Sequence, residues 1–300
     1  MPSITNSSFD CSLPSASRWN LMALYWATFR AALHGTYSHG ALGFAKGAAY
    51  SALLAFFPVL TTVTTLLVQA NAPAVSQRIE TWLFQVAPPG VDALINNFLA
   101  RGARPAAIPI VATLLAAWAA SGVTTSLLEA YQAAYRRPHS RGIVRQRLLA
   151  IVLVIGSLIP VLLASALLLF GDRVETWIFT QLGFLDAGEV LAGGVNLIAH
   201  AIRIAVAFAA IVAVTAVMYR FGPQAPRRRH VWPGAIFASI LWLSLTAGFA
   251  WYVRNIANYN VFYGSIGAVM ALIVWMYLLS LSAMFGCEFN ARLDERAPRR

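Results

Sequence analysis

Apolar residues run through this chain in stretches about as long as a bilayer is thick, separated by short loops rich in arginine. A hydrocarbon core of roughly 30 Å takes about 20 helical residues to cross. Five stretches of that length carry no interior charge: residues 47–70, 107–128, 148–170, 232–253 and 262–286. A sixth, residues 190–219, is interrupted by His200 and Arg203 and is the weakest of the set. The pattern predicts an all-α polytopic membrane protein with six transmembrane helices.

Composition agrees with the pattern. Of the 300 residues 59% are hydrophobic and only 11% charged, far from the balance of a water-soluble domain. The N-terminus starts polar, without a basic segment leading into a short apolar one, so the first span is expected to direct insertion.

Charge sets the expected orientation. Most basic residues fall in four segments that alternate along the chain and so share one side. These hold Arg18, Arg30 and Lys46, then Arg136, Arg137, Arg141, Arg145 and Arg147, then Arg220 and Arg227 to Arg229, then Arg292, Arg296, Arg299 and Arg300. The opposite loops carry only Arg78, Arg101, Arg104, Arg173 and Arg254. Basic loops stay in the cytoplasm, so both termini are expected there, with the membrane crossed six times. A net charge of +11 would also suit nucleic-acid phosphates, but arginine on one side is what membrane topology demands, and no nucleic acid is expected as partner. The triplet Arg227, Arg228 and Arg229 beside Trp232 suits anionic lipid headgroups.

Four segments are expected. Residues 1–17, rich in Ser, Asn and Pro, read as a disordered tail. Residues 18–40 read as a helix lying in the interface, with Trp19, Met22, Trp26, Phe29 and Leu33 on one face. Residues 41–293 form the membrane domain, and 294–300 a basic tail. Gly47, Ser51 and Ala55 give the first span a small face on which a helix of the same or another subunit can pack, which leaves a homo-oligomer open. Pro58 frees a carbonyl one turn back, for which Thr61 or Thr62 offers a hydroxyl, and predicts a kink. Residues 71–106 and 174–185 read as re-entrant or interfacial elements on the far side.

Asn196, His200 and Arg203 share one helical face, and a polar stripe on a spanning helix faces either a water-filled cavity or pairing acids such as Glu175 and Asp186. Glu129 and Glu288 close spans two and six, near arginines that can pair with them. Tests for enzyme chemistry fail. The five histidines show no HxH or HExxH spacing, Cys11 and Cys287 are too far apart to suggest a disulfide or metal site, and no Walker, Rossmann or GxSxG motif occurs. No catalytic residue, metal or cofactor is expected.

The last third carries Tyr263-Gly264-Ser265-Ile266-Gly267-Ala268 and closes with Gly286-Cys287-Glu288-Phe289-Asn290-Ala291. This resembles the YGSLGA-type start and GAELNA-type end of the final helix in the YihY/BrkB family of bacterial inner-membrane proteins. The stretch from Ala48 to Pro58, and Trp118-Ala119-Ala120-Ser121-Gly122, resemble two further motifs of that family, the second a W-x-S-G turn. The resemblance implies six helices with cytoplasmic ends and marks Pro58, Tyr263, Gly264, Ser265, Gly267, Glu288 and Asn290 as family-motif residues. Glu288 and Asn290 would latch the tail or form a cytoplasmic gate. The family has also carried a ribonuclease label for tRNA processing, an activity for which this sequence lacks clustered His and Asp ligands.

The expected function is transport or flipping of a lipidic or amphiphilic envelope solute. The alternative is a membrane scaffold holding anionic lipid or a partner protein. A water-filled cavity reached by Arg203 would favour the first, and a dry, close-packed bundle the second.

Overall fold

A computed structural model describes residues 18–69, 107–137, 142–181, 193–223, 230–255 and 265–296. These form seven helices: α1 (Arg18–Ser38), α2 (Ala41–Gln69), α3 (Ala107–Ala134), α4 (Ile143–Gln181), α5 (Gly193–Phe221), α6 (Trp232–Asn255) and α7 (Ser265–Arg296). Six of them, α2 to α7, are long and apolar enough to cross a membrane. The weak fourth span is thus a helix as continuous as the others.

Segment ends differ from expectation in three places. The last helix runs to Arg296, through the start of the segment expected as a basic tail. The element expected at 174–185 is not separate as far as Gln181, because α4 continues through it unbroken. Trp118 to Gly122 is no turn but lies inside α3. The disordered tail expected at 1–17 and the elements expected at 71–106 lie outside the described residues.

The core is built where small residues let backbones meet. Gly122 of α3 lies against Ser51 of α2, where an added Cβ would come within 3.0 Å of the Ser51 hydroxyl, and Gly47 faces Ser126 one turn on. The small face of α2 therefore packs within the chain. Gly234 of α6 and Gly286 of α7 meet backbone to backbone, and a Cβ on either would press on the other's carbonyl. Around these contacts lie Leu128, Tyr131, Ala150, Tyr219, Ala235 and Cys287, all buried. Pro58 sits inside α2, where the Thr61 and Thr62 hydroxyls donate to the Phe57 and Pro58 carbonyls at 2.9 Å rather than to the carbonyl that Pro58 frees.

The expected interfacial helix docks on the bundle. Its apolar stripe splits: Trp26 and Leu33 stay exposed, while Phe29 turns edge-on to Phe237 and Phe285. The buried face of α1 is Thr28, Ala32 and Thr36, against Phe285, Phe289 and Leu293 of α7. Gly40, at φ +72°, makes the joint to α2 in a backbone region that favours glycine.

Candidate functional site

The most densely bonded polar cluster among the described residues lies on the last three turns of α7. Successive side chains there point in different directions, and each finds a different part of the chain. Glu288, 2% exposed, accepts from Arg292 Nε at 2.8 Å and faces His39 Nδ1, at the α1–α2 joint, at 3.0 Å. Gly35 lets α1 pass this pair, since a side chain there would collide with the Glu288 carboxylate. Asn290, 1% exposed, accepts from the Gly234 N–H at 2.7 Å and donates to the Val231 carbonyl at 2.9 Å. It thereby satisfies one of the donors that the start of α6 leaves without a helical partner. Asp294 accepts from the Tyr135 hydroxyl at the end of α3 and from the His230 backbone N–H, and lies 2.9 Å from His230 Nδ1. Arg296 donates to the Leu24 and Ala27 carbonyls and, at 2.7 Å, to the Thr28 hydroxyl of α1.

Glu288 thus pairs with Arg292 on its own helix and with His39 at the α1–α2 joint, while Asn290 holds the start of α6. Sequence reasoning missed the partners His39 of Glu288 and Gly234 and Val231 of Asn290, the close approach at Gly35, and the ties of Asp294 to His230 and of Arg296 to α1. The signal that could have found them is the polar run from Asn290 to Arg296 continuing without a helix breaker. Glu129 accepts from Gln146 at 3.1 Å, and among the described residues no arginine pairs with it.

A second polar contact joins two of the segments that carry the family resemblance. Arg147, one of the loop arginines by sequence, sits in the second turn of α4 and folds onto α3. Its guanidinium lies 4.4 Å from the Trp118 ring centroid and donates to the Trp118 carbonyl at 3.0 Å. It also comes beside Gly122, at the contact with Ser51. A cation over an indole face in a water-poor setting is worth about 1–2 kcal/mol.

Two members of the Asn196, His200 and Arg203 stripe are described. His200 is exposed, whereas Arg203 is 4% exposed and lies along Gly171 of α4. The side chain of Asn196 lies outside the described residues, as do those of Ser265, Glu175 and Asp186 and all of Tyr263, Gly264 and Arg227 to Arg229. Gly267 is buried in the first turn of α7.

Two cavities flank α4 and α5. One, of about 210 Å³, lies among α4, α5, α6 and α7 and is lined by apolar groups with Thr215, Ser239 and Ser282. Thr215 and Ser282 donate to carbonyls of their own helices, but the buried Ser239 hydroxyl has no partner among the described residues. The other, of about 390 Å³, is a groove between α4 and α5 that shares Val214 with the first. Arg203 lines neither. Among the described residues no group of three or more His, Cys, Asp or Glu side chains comes together as a metal site.

Comparison with known proteins places this arrangement. The chain is 30% identical over 251 residues to the ribonuclease-like protein YfkH of Bacillus subtilis, covering 83% of this chain and 88% of that one. It is 27% identical over 255 residues to a UPF0761 membrane protein of Alteromonas mediterranea, covering 82% and 81%. A UPF0761 membrane protein of Vibrio cholerae is 31% identical over 137 residues, 45% of this chain and 44% of its own. No solved structure matches. The family model described as Virulence factor BrkB matches residues 32–300, from the second half of α1 to beyond the end of α7, and this membrane protein belongs to that family.

Proposed function

We propose that this protein moves a lipidic or amphiphilic solute of the cell envelope across the bacterial inner membrane, with both termini in the cytoplasm. The observation that carries the reading is the chamber among α4 to α7, whose apolar wall contains one buried hydroxyl, Ser239, with no partner among the described residues. An unsatisfied buried hydroxyl costs about 1–3 kcal/mol, so a solute that brings a polar atom on an apolar body gains there what the empty chamber lacks. The chamber meets the α4–α5 groove at Val214, which suits a solute arriving from the lipid side rather than from water.

The scaffold reading keeps one supporting observation: α7 fastens α1, α3 and α6 together at the arginine-rich end through buried polar contacts. Contact with anionic lipid suits either reading. The ribonuclease part of the name borne by the Bacillus subtilis relative is said of that protein alone.

The test is flipping of labelled phospholipids by purified protein in liposomes, comparing wild type with Ser239→Val and Arg203→Ala. Movement slowed several-fold by Ser239→Val and little changed by Arg203→Ala is expected. No movement by folded wild-type protein across a panel of lipids and amphiphiles would overturn transport in favour of the scaffold.

A further inference from the structure

We propose that the groove between α4 and α5 binds one acyl chain of an anionic phospholipid, whose phosphate is held by Arg145 and Arg220. The inference rests on the lipid-handling reading only for its biological use, since binding stands whether or not the lipid is moved.

The groove walls are two helical stripes. On α4 they are Leu149, Val152, Gly156 and Pro160, and on α5 Ala213, Val217 and Phe221. Ser157 also lines it, but its hydroxyl is spent on the Val154 carbonyl at 2.7 Å. The described lining therefore offers no uncommitted hydrogen-bonding side chain, and the occupant along it is hydrocarbon. Gly156 opens the floor, for a Cβ there would meet nothing within 4 Å.

Length and charge then select the occupant. From Leu149 to Pro160 the α4 wall rises through eleven residues, about 16 Å at 1.5 Å per residue. That is close to half of a hydrocarbon core of roughly 30 Å, the depth of one leaflet. One turn beyond Leu149, toward the arginine-rich end, the α4 stripe continues with Arg145. The α5 stripe, Ala213, Val217 and Phe221, ends beside Arg220, the residue before Phe221. Both arginines are exposed, and among the described residues no hydrogen bond or ion pair engages either, in contrast to Arg147, Arg292 and Arg296. The acids of α4, Asp172 and Glu175, lie toward its far end, and α5 has none. A chain lying in the groove thus carries its headgroup to two uncommitted guanidinium groups, which fit a phosphate by paired hydrogen bonds better than a zwitterion's exposed ammonium.

The experiment is native mass spectrometry of the full chain, titrated with phosphatidylglycerol or phosphatidylcholine at two ionic strengths. The wild type is expected to retain one phosphatidylglycerol roughly tenfold more tightly than phosphatidylcholine. The pair Arg145→Gln with Arg220→Gln should abolish that preference, and Gly156→Phe, which fills the floor, should weaken both lipids. The control pair Arg136→Gln with Arg137→Gln, away from the groove, should leave the preference intact. Equal loss in the control pair, or no selectivity in the wild type, overturns the site. Selective retention without flipping in the liposome assay keeps the site and removes transport, whereas flipping without selective retention does the reverse.

Discussion

Replacing Asn290 with Ala should loosen the α6–α7 contact by an amount that the geometry fixes. The side chain is 1% exposed and makes two hydrogen bonds, from the Gly234 N–H at 2.7 Å and to the Val231 carbonyl at 2.9 Å. The two losses are unequal. The Val231 carbonyl also accepts from the Ala235 N–H at 3.3 Å and keeps that bond, whereas the Gly234 N–H is left buried with no acceptor. One orphaned buried donor costs about 1–3 kcal/mol, and at about 2 kcal/mol the population of opened molecules rises roughly thirtyfold. Cys287 reports this opening, for it is fully buried on the same helix and the chain has only one other cysteine, Cys11. In a Cys11→Ser background, labelling of Cys287 by a thiol-reactive dye in detergent should therefore be about thirtyfold faster for Asn290→Ala. Asn290→Asp should label at least as fast, because it keeps an acceptor for Gly234 but sets an oxygen against the Val231 carbonyl. Labelling of Asn290→Ala within twofold of its parent, in an assay where Gly234→Ala gives a clear rise, would refute the account of this side chain as the cap of α6.

Gly234→Ala itself should lower stability by about 1–3 kcal/mol, because its Cβ would press on the Gly286 carbonyl and the Asn290 amide, and a fall in melting temperature in detergent would show it. Glu288→Ala should cost about 3 kcal/mol by removing the buried acceptor of Arg292 Nε and His39, while Glu295→Ala, whose carboxylate is 47% exposed, should cost about 1 kcal/mol or less; equal thermal shifts would contradict the difference in burial. Arg147→Gln should cost about 1–2 kcal/mol through the loss of the Trp118 ring contact, with Arg147→Lys recovering part of it. Hydrogen exchange should run faster in the α4 segment from Val152 to Leu168 than in the second half of α7, and equal protection would show that α4 is held as firmly as the centre of the bundle.

The spans were readable because a long apolar run has few structural options in lipid. Their ends were not, because hydropathy takes a polar run as the exit from the membrane region. In α7 the polar residues from Asn290 to Arg296 stay helical because α1, α3 and α6 supply partners for them. Likewise Lys46 did not keep α2 from starting at Ala41. Motif resemblance found Glu288 and Asn290, but their partners lie 249 and 56 residues away in sequence, and no local pattern joins such positions. In the polar stripe of α5 the surroundings of each side chain were equally illegible. Helical spacing puts His200 and Arg203 on one side, yet Gly171 on the neighbouring helix makes room for the second alone. Arg147 was counted with loop arginines because the apolar run begins at Leu148, whereas α4 starts five residues earlier, at Ile143, and takes Arg147 inside the helix.

The distribution of these contacts bears on which helices have freedom to move. The polar groups of α7 tie down α1, the end of α3 and the start of α6, and the Tyr219 hydroxyl ties the end of α5 to the Ala283 carbonyl. Helix α4 receives none of them. Its substantial packing is with α3 and α5, and among the described residues its polar ties include Gln146 to Glu129 and Arg147 to Trp118 in its first two turns, while the buried Arg203 of α5 lies along Gly171 farther on. Beyond them only 11% of its apolar span is buried, against 39% for α7. Pro160 stands midway, removing a backbone donor where α4 borders both cavities. A helix whose hydrogen-bond ladder is broken midway, beside two voids, can flex at Pro160 without breaking the polar network of α7. Any passage between the α4–α5 groove and the inner chamber at Val214 would therefore open by displacement of α4, while the fastened end stays closed.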